Sequence, residues 1–207
     1  MNLILIIVNS YLLGSIPTAY LILKKIKGID IRKAGSGNVG GMNAFEVSGK
    51  KIVGIIVFLT DFLKGFLAVT ITKEFFGNNF LTVGLAVFFV VLGHCFSIWI
   101  GFKGGRGLAT ALGSTFTYIP TAFMIWGIVW LVTYLYKKDI HLGNIWATIS
   151  TMILLLINYK FFNQFNLPRA EDQITYSLIV IATLSIILVK HIEPLKMILS
   201  RKEKNEV

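Results

Sequence analysis

Six nearly uninterrupted apolar runs divide the chain, at about residues 3–23, 52–72, 80–100, 107–136, 144–161 and 174–190, with short polar loops between them. Each run is long enough for a helix, and a bilayer crossing needs about 20 residues. The run 107–136 has Pro120 near its centre. It is too long for one crossing and short for two, so Pro120, which cannot continue a helix from its amino side, predicts a hairpin or broken pair there.

Basic residues decide how many times the chain crosses. With a broken pair at Pro120, sixteen Lys and Arg residues fall on one side, in the loops 24–51 and 103–106, at 137–138 and after Val189; only Lys73, Lys160 and Arg169 fall on the other. That asymmetry marks the richer side as cytoplasmic. The first run has no basic residue before it and ends at Lys24-Lys25, so it reads as the first crossing, not as a cleaved signal. The prediction is an all-α integral membrane protein with seven transmembrane helices, one of them short or re-entrant. Its N-terminus lies outside and its C-terminus is cytoplasmic, in a single domain over residues 1–207.

Composition agrees: 55% of residues are hydrophobic and only 14% charged, more apolar surface than a soluble globule could hide. The net charge of +10 is dispersed over short loops, which excludes a nucleic-acid surface and favours anionic headgroups or substrates. The one cysteine, Cys95, lies within a run, and the three histidines are scattered without paired carboxylates. Neither a metal site nor any cofactor is expected.

Two polar loops carry candidate chemistry. Phe102-Lys103-Gly104-Gly105-Arg106-Gly107 combines three glycines with two cations, which predicts a nest of consecutive N–H groups around a phosphate, with a purely orienting basic turn as the alternative. The stretch Asp30 to Asn43 holds Gly35-Ser36-Gly37-Asn38, which can aim N–H and hydroxyl donors at a phosphoryl or carbonyl oxygen while Arg32 and Lys33 neutralise charge. It lacks the spacing of a P-loop or a dinucleotide-binding turn. Asp61 and Lys64, three apart within one run, predict an ion pair on one helix face. His94 ends its run as a packing group, whereas His141 and His191 stand where they can converge on the two loops.

Taken together and in order, Gly14-Ser15-Ile16-Pro17, the loop Asp30 to Asn43, Asp61 with Lys64-Gly65, Gly93-His94 and Phe102 to Thr110 resemble the bacterial acyl-phosphate-dependent glycerol-3-phosphate acyltransferase family. The resemblance covers nearly the whole chain. It implies a seven-span enzyme of the cell (inner) membrane with a cytoplasmic active site. The implied reaction moves an acyl group from acyl phosphate to the 1-hydroxyl of glycerol 3-phosphate, giving lysophosphatidic acid, with membrane lipids as surroundings and the oligomeric state left open.

Carried onto this chain, the resemblance implies Ser36, Lys103 and His191 as catalytic, with Gly37, Asn38, Asn43, Gly104, Gly105, Arg106 and Gly107 binding substrate. Arg32, Gly35 and His141 join the binding set on their own position and chemistry. Several positions depart from the family pattern, among them Gly41-Met42-Asn43 in place of Ala-Thr-Asn and Arg201 in place of a glycine. Glu46 stands where the family has Arg, His141 and Asn144 replace a Thr-Arg-Tyr segment with its following Ser, and Pro194 replaces an Asn. These departures leave open a paralogue with another acceptor and a non-catalytic lipid-binding subunit. Glu203 matches a late acidic position of the family.

Overall fold

The computed structural model describes residues 3–205, with side chains from Leu3 to Ser200; Glu203, Lys204 and their neighbours Arg201 and Lys202 lie outside the described side chains. The described residues form helices and connecting turns, without strands. Helices α1 (Leu3–Ser15) and α2 (Thr18–Lys27) make up the first apolar run, interrupted at Ile16-Pro17 because Pro17 offers no N–H to the preceding turn. The short α3 (Gly41–Ser48) follows the first polar loop. Then come the long α4 (Lys51–Phe75) and α5 (Phe80–Cys95), the latter capped by Asn79, whose Oδ1 accepts from the Thr82 N–H at 2.9 Å.

Pro120 divides the next run as predicted, into α6 (Leu108–Phe116) and α7 (Pro120–Lys137), with Pro120 in the first helical turn where its missing N–H costs nothing. The nine residues of α6 extend only roughly 14 Å, less than half of a bilayer core of about 30 Å. After it come α8 (Ile140–Ile157), α9 (Tyr159–Asn163), α10 (Gln173–Val189) and α11 (Ile192–Asn205). Four segments are long and apolar enough to cross a membrane, Leu3–Lys27, Lys51–Phe75, Phe80–Ile100 and Ile140–Ile157; α10 with α11, bent by 44°, makes a fifth if counted as one span.

The most buried of these spans is the α5 segment. Gly14 and Gly93 bring α1 and α5 backbone to backbone, because a Cβ on Gly14 would strike the Val90 carbonyl and one on Gly93 the Tyr11 carbonyl. Gly65 and Gly113 do the same for α4 and α6. In a bilayer, where lipid is as apolar as the helix surface, such close packing between small residues is what holds helices together. By contrast α7 buries only Ala122 and is tied mainly to α8.

Hydrogen bonds gather the loops at two ends. At one end Lys73 Nζ donates to the Thr117 carbonyl at 2.7 Å, Tyr118 Oη to the Phe80 carbonyl at 2.8 Å and the Leu167 N–H to the Tyr118 carbonyl at 3.0 Å. The opposite end holds both glycine loops.

Candidate active site

The first loop is built around two side chains that the loop itself consumes. Asp30 accepts from Arg32 Nε at 2.9 Å and from Arg32 Nη2 at 2.7 Å, and Arg32 Nη1 donates onward to the Ile100 carbonyl at 2.9 Å. The guanidinium also lies over the Tyr20 ring, 5.1 Å from its centroid. Charge-assisted bonds from Arg32 hold the Asp30 carboxyl well down, to about 2. Arg32, expected to bind substrate, thus clamps loop one to the segment that leads into loop two.

Asn43, also expected to bind substrate, is 1% exposed. Its Oδ1 accepts from the Ser36 N–H at 3.0 Å while Nδ2 donates to the carbonyls of Ala34 at 3.1 Å and Asn38 at 2.9 Å. The amide replaces the backbone ladder this irregular loop lacks, so Asn43 shapes the loop. Gly35, at φ +57°, lies against that amide, where a Cβ would strike Asn43 Oδ1. Gly37 turns the chain at φ +71°. The side chains of Ser36 and Asn38 make no hydrogen bond within the described residues; Ser36 is exposed and Asn38 half-buried.

The second loop corrects the nest expectation. The Gly104 N–H donates to the Cys95 carbonyl at 3.2 Å and the Gly105 N–H to the His94 carbonyl at 3.0 Å. Both therefore satisfy carbonyls that the end of α5 leaves open, and neither is available to an anion. The glycines serve close approach instead. A Cβ on Gly104 would strike the His94 carbonyl, and one on Gly105 would strike His94 Nε2 and lie 2.6 Å from the Val39 carbonyl of loop one. Gly107 turns the chain into α6 at φ +84°. What faces outward from this loop are the cations, Lys103 exposed and Arg106 half-buried.

Beneath the loops sits the Asp61–Lys64 pair, 2.7 Å apart and buried. Lys64 Nζ also donates to the Ile16 carbonyl at 2.8 Å and the Gly14 carbonyl at 3.3 Å, at the break between α1 and α2. His94 Nδ1 stands 3.7 Å from Asp61 Oδ1. Ser97 Oγ donates to the Ser15 carbonyl, so the helix break, α4 and α5 are locked at one level.

On the far side of Arg106, its Nη1 meets His141 Nδ1 at 3.2 Å. An arginine can only donate, so His141 Nδ1 accepts. Asp139 caps α8, accepting from the N–H groups of His141 at 2.8 Å and Leu142 at 2.9 Å, and so places His141 in the first turn. Burial lowers the Arg106 pKa while the carboxylates of Glu193 and Glu46 act in the opposite sense, which puts both acids in electrostatic reach of it.

His191, expected to be catalytic, is 2% exposed. Its Nδ1 bonds the Ile187 carbonyl at 2.7 Å and its Nε2 faces Asn144 Nδ2 at 3.3 Å. Both ring nitrogens are therefore engaged by neighbouring groups. Pro194 is buried in the first turn of α11, and the amide near His191 comes from α8, through Asn144.

Similarity to known proteins now decides the family. Residues 4–201 match the profile of the family described as glycerol-3-phosphate acyltransferase. A relative of that name from Ehrlichia canis (strain Jake) is 37% identical over 96% of this chain and 95% of its own, and one from Aquifex aeolicus (strain VF5) is 41% identical over 76% and 81%. The chain belongs to the glycerol-3-phosphate acyltransferase family. Its fold is that of PlsY, an integral membrane glycerol 3-phosphate acyltransferase whose crystal structure in the glycerol 3-phosphate form superposes with a TM-score of 0.81 at 34% identity, over 97% of this chain and 93% of that one. The lysophosphatidic acid form of PlsY gives 0.78 at 33% identity.

For this family member, sequence reasoning named the loops and missed much of what holds them. Trp130 was not singled out, yet its Nε1 donates to Asn144 Oδ1 at 2.8 Å. Its signal was an aromatic at every fourth position, Trp126, Trp130 and Tyr134, whose rings stack along α7.

Proposed function

We propose that this protein transfers an acyl group from acyl phosphate to the 1-hydroxyl of glycerol 3-phosphate, releasing inorganic phosphate and lysophosphatidic acid, the first acylation in phospholipid synthesis. The hydroxyl oxygen adds to the acyl carbonyl, the carbon–oxygen bond to phosphate breaks, and the hydroxyl proton leaves with the phosphate. An acyl phosphate is already an activated anhydride, so the tasks of the protein are orientation and charge stabilisation.

One observation carries this reading. Loops one and two are docked on each other through Arg32 to the Ile100 carbonyl and Gly105 against Val39, and the outward groups around the docked pair are donors and cations: Ser36, Asn38, Lys103 and Arg106. We assign Ser36 and Lys103 to the reacting groups, Asn38 and Arg106 to phosphate binding, and His141 to holding Arg106. Gly35, Gly37, Asn43, Gly104, Gly105, Gly107, Arg32 and His191 shape the site.

The same reading takes the chain as a single membrane domain with seven crossings, α6 being the short one, in the cell (inner) membrane with the docked loops cytoplasmic. The sixteen-to-three division of basic residues supports it.

The test is purified protein in lipid, supplied with palmitoyl phosphate and glycerol 3-phosphate, comparing wild type with Lys103→Ala. Loss of one charged hydrogen bond should cost about 1.5–3 kcal/mol, a roughly tenfold to hundredfold fall in kcat/KM, with insertion unchanged. Full activity of the variant would remove Lys103 from the site. Orientation is tested separately by single cysteines at the exposed positions Lys51, Lys160 and Ser200 in a Cys95→Ala background. An impermeant maleimide on intact cells should label only the cysteine at 160.

A further inference from the structure

From α7 a chain of hydrogen bonds runs inward through α8 to His191 at the end of α10, and each link favours one orientation of the next. An indole N–H donates and cannot accept, so the 2.8 Å bond from Trp130 Nε1 fixes Oδ1 of Asn144 toward α7 and turns Nδ2 the other way. That amide nitrogen is a donor, and the atom it meets at 3.3 Å is His191 Nε2, which must then present its lone pair. The proton of the ring is left on Nδ1, 2.7 Å from the Ile187 carbonyl, the only kind of partner that can accept it.

The links are buried: Asn144 is 5% exposed and His191 2%. Gly143 leaves room for the indole, a Cβ there lying 3.1 Å from Trp130 Nε1. One rung along, Trp126 Nε1 donates to Thr148 Oγ1 at 3.1 Å and leaves the Asn144 amide alone. Arg106 and His141, the anion-facing pair, lie within electrostatic reach of His191. An imidazole locked in one neutral tautomer leaves the local charge to them.

We propose that Trp130 and Asn144 are positioning residues that hold the Nε2 lone pair of His191 and so support the neutral Nδ1–H tautomer set by the Ile187 carbonyl, keeping an uncharged ring within electrostatic reach of Arg106 and His141. This inference rests on the function proposed above for its kinetic consequence. The tautomer itself is a property of the resting protein.

The test compares Trp130→Phe with Trp126→Phe in the full-length protein, reconstituted in lipid nanodiscs with histidine nitrogen-15 labelled. The His191 signals are assigned by their loss in His191→Gln. Wild type should show His191 protonated at Nδ1 and bare at Nε2. In Trp130→Phe the Asn144 amide can turn over and set Oδ1 against His191 Nε2, so a fraction protonated at Nε2 should appear, and kcat should fall about tenfold with the KM for glycerol 3-phosphate changed less than twofold. Trp126→Phe should keep the wild-type spectrum and rate.

Asn144→Asp, which sets a carboxylate oxygen against His191 Nε2, offers a second arm, judged by the appearance of Nε2 protonation, should Trp130→Phe not insert. An unchanged His191 spectrum in Trp130→Phe, or in Asn144→Asp, would overturn the proposal, as would equal losses of rate in the two tryptophan variants. Absence of acyl transfer in wild type would count against the proposed function and leave the spectral result standing.

Discussion

Lys64 Nζ lies 2.7 Å from Asp61 Oδ1 within one helix, and the other two hydrogen bonds of that ammonium go to the Ile16 and Gly14 carbonyls freed where α1 breaks. The pair is therefore more than a neutralised charge. It closes a gap in the backbone hydrogen bonding of a neighbouring helix at a depth where an unsatisfied carbonyl is costly.

Replacing Lys64 with Met should consequently be severe. It leaves a buried carboxylate without its cation and two carbonyls without donors, a loss of roughly 3–5 kcal/mol. Asp61→Asn should be milder, because Lys64 keeps its carbonyl partners. Thermal unfolding in detergent, followed by size exclusion, should rank wild type above Asp61→Asn and Asp61→Asn above Lys64→Met; the reverse order of the two variants would mean the carbonyl contacts carry little.

The glycines of loop two separate by the space around them. Gly105→Ala places a Cβ into His94 Nε2 and against the Val39 carbonyl, so it should push the two loops apart and abolish acyl transfer. Gly101 turns at φ +66° with open space around it. Its alanine variant should lose only roughly 1 kcal/mol of stability from the left-handed backbone and keep most of its activity. Equal activity in both would show that loop docking is unimportant.

This contrast also shows where the sequence stopped being readable. Pro120 and the Asp61–Lys64 spacing announce their structural effect within a few residues, because a missing N–H and a three-residue helical offset act locally. The family motifs were legible too, and the structure supplies the reason that Gly14 to Pro17, Lys64 and His94 travel together: they meet at one helix break. Whether the Gly104 and Gly105 N–H groups face an anion or a carbonyl was not legible, since composition is identical in the two cases and only the position of α5 decides. The loop-building bonds of Asn43 and Arg32 were not legible for the same reason. Their polar groups suit a ligand, and the folded loop uses them first.

The Asp30–Arg32 clamp has a defined acid limit. A free aspartate titrates at about 3.9, and Arg32 holds this one to about 2. Its contribution is therefore fully present above the ordinary carboxylate range and is lost only as pH falls through about 2. Protease nicking of loop one should be independent of pH between about 5 and 8, whereas Asp30→Asn should be nicked faster throughout that range. A wild-type loop that loosens between pH 6 and 5 would point to some other group as its clamp.

Glu46 is exposed on α3 and acts on Arg106 together with Glu193. A carboxylate there competes with an anionic substrate for the same cation, and its effect through water decays over a Debye length of about 8 Å at physiological salt. Glu46→Gln should therefore lower the KM for glycerol 3-phosphate about twofold to fivefold at low ionic strength, from a change of roughly 0.5–1 kcal/mol, with kcat little altered. Glu46→Arg should go further in the same direction. Both gains should shrink as potassium chloride is raised, since the interaction is exposed to screening. A different acceptor read by Glu46 demands the opposite: efficiency on a neutral or amine-bearing acceptor would drop in Glu46→Gln while glycerol 3-phosphate gained nothing. Initial rates on glycerol 3-phosphate, glycerol and an amino alcohol, each at two salt concentrations in the same three proteins, distinguish these outcomes.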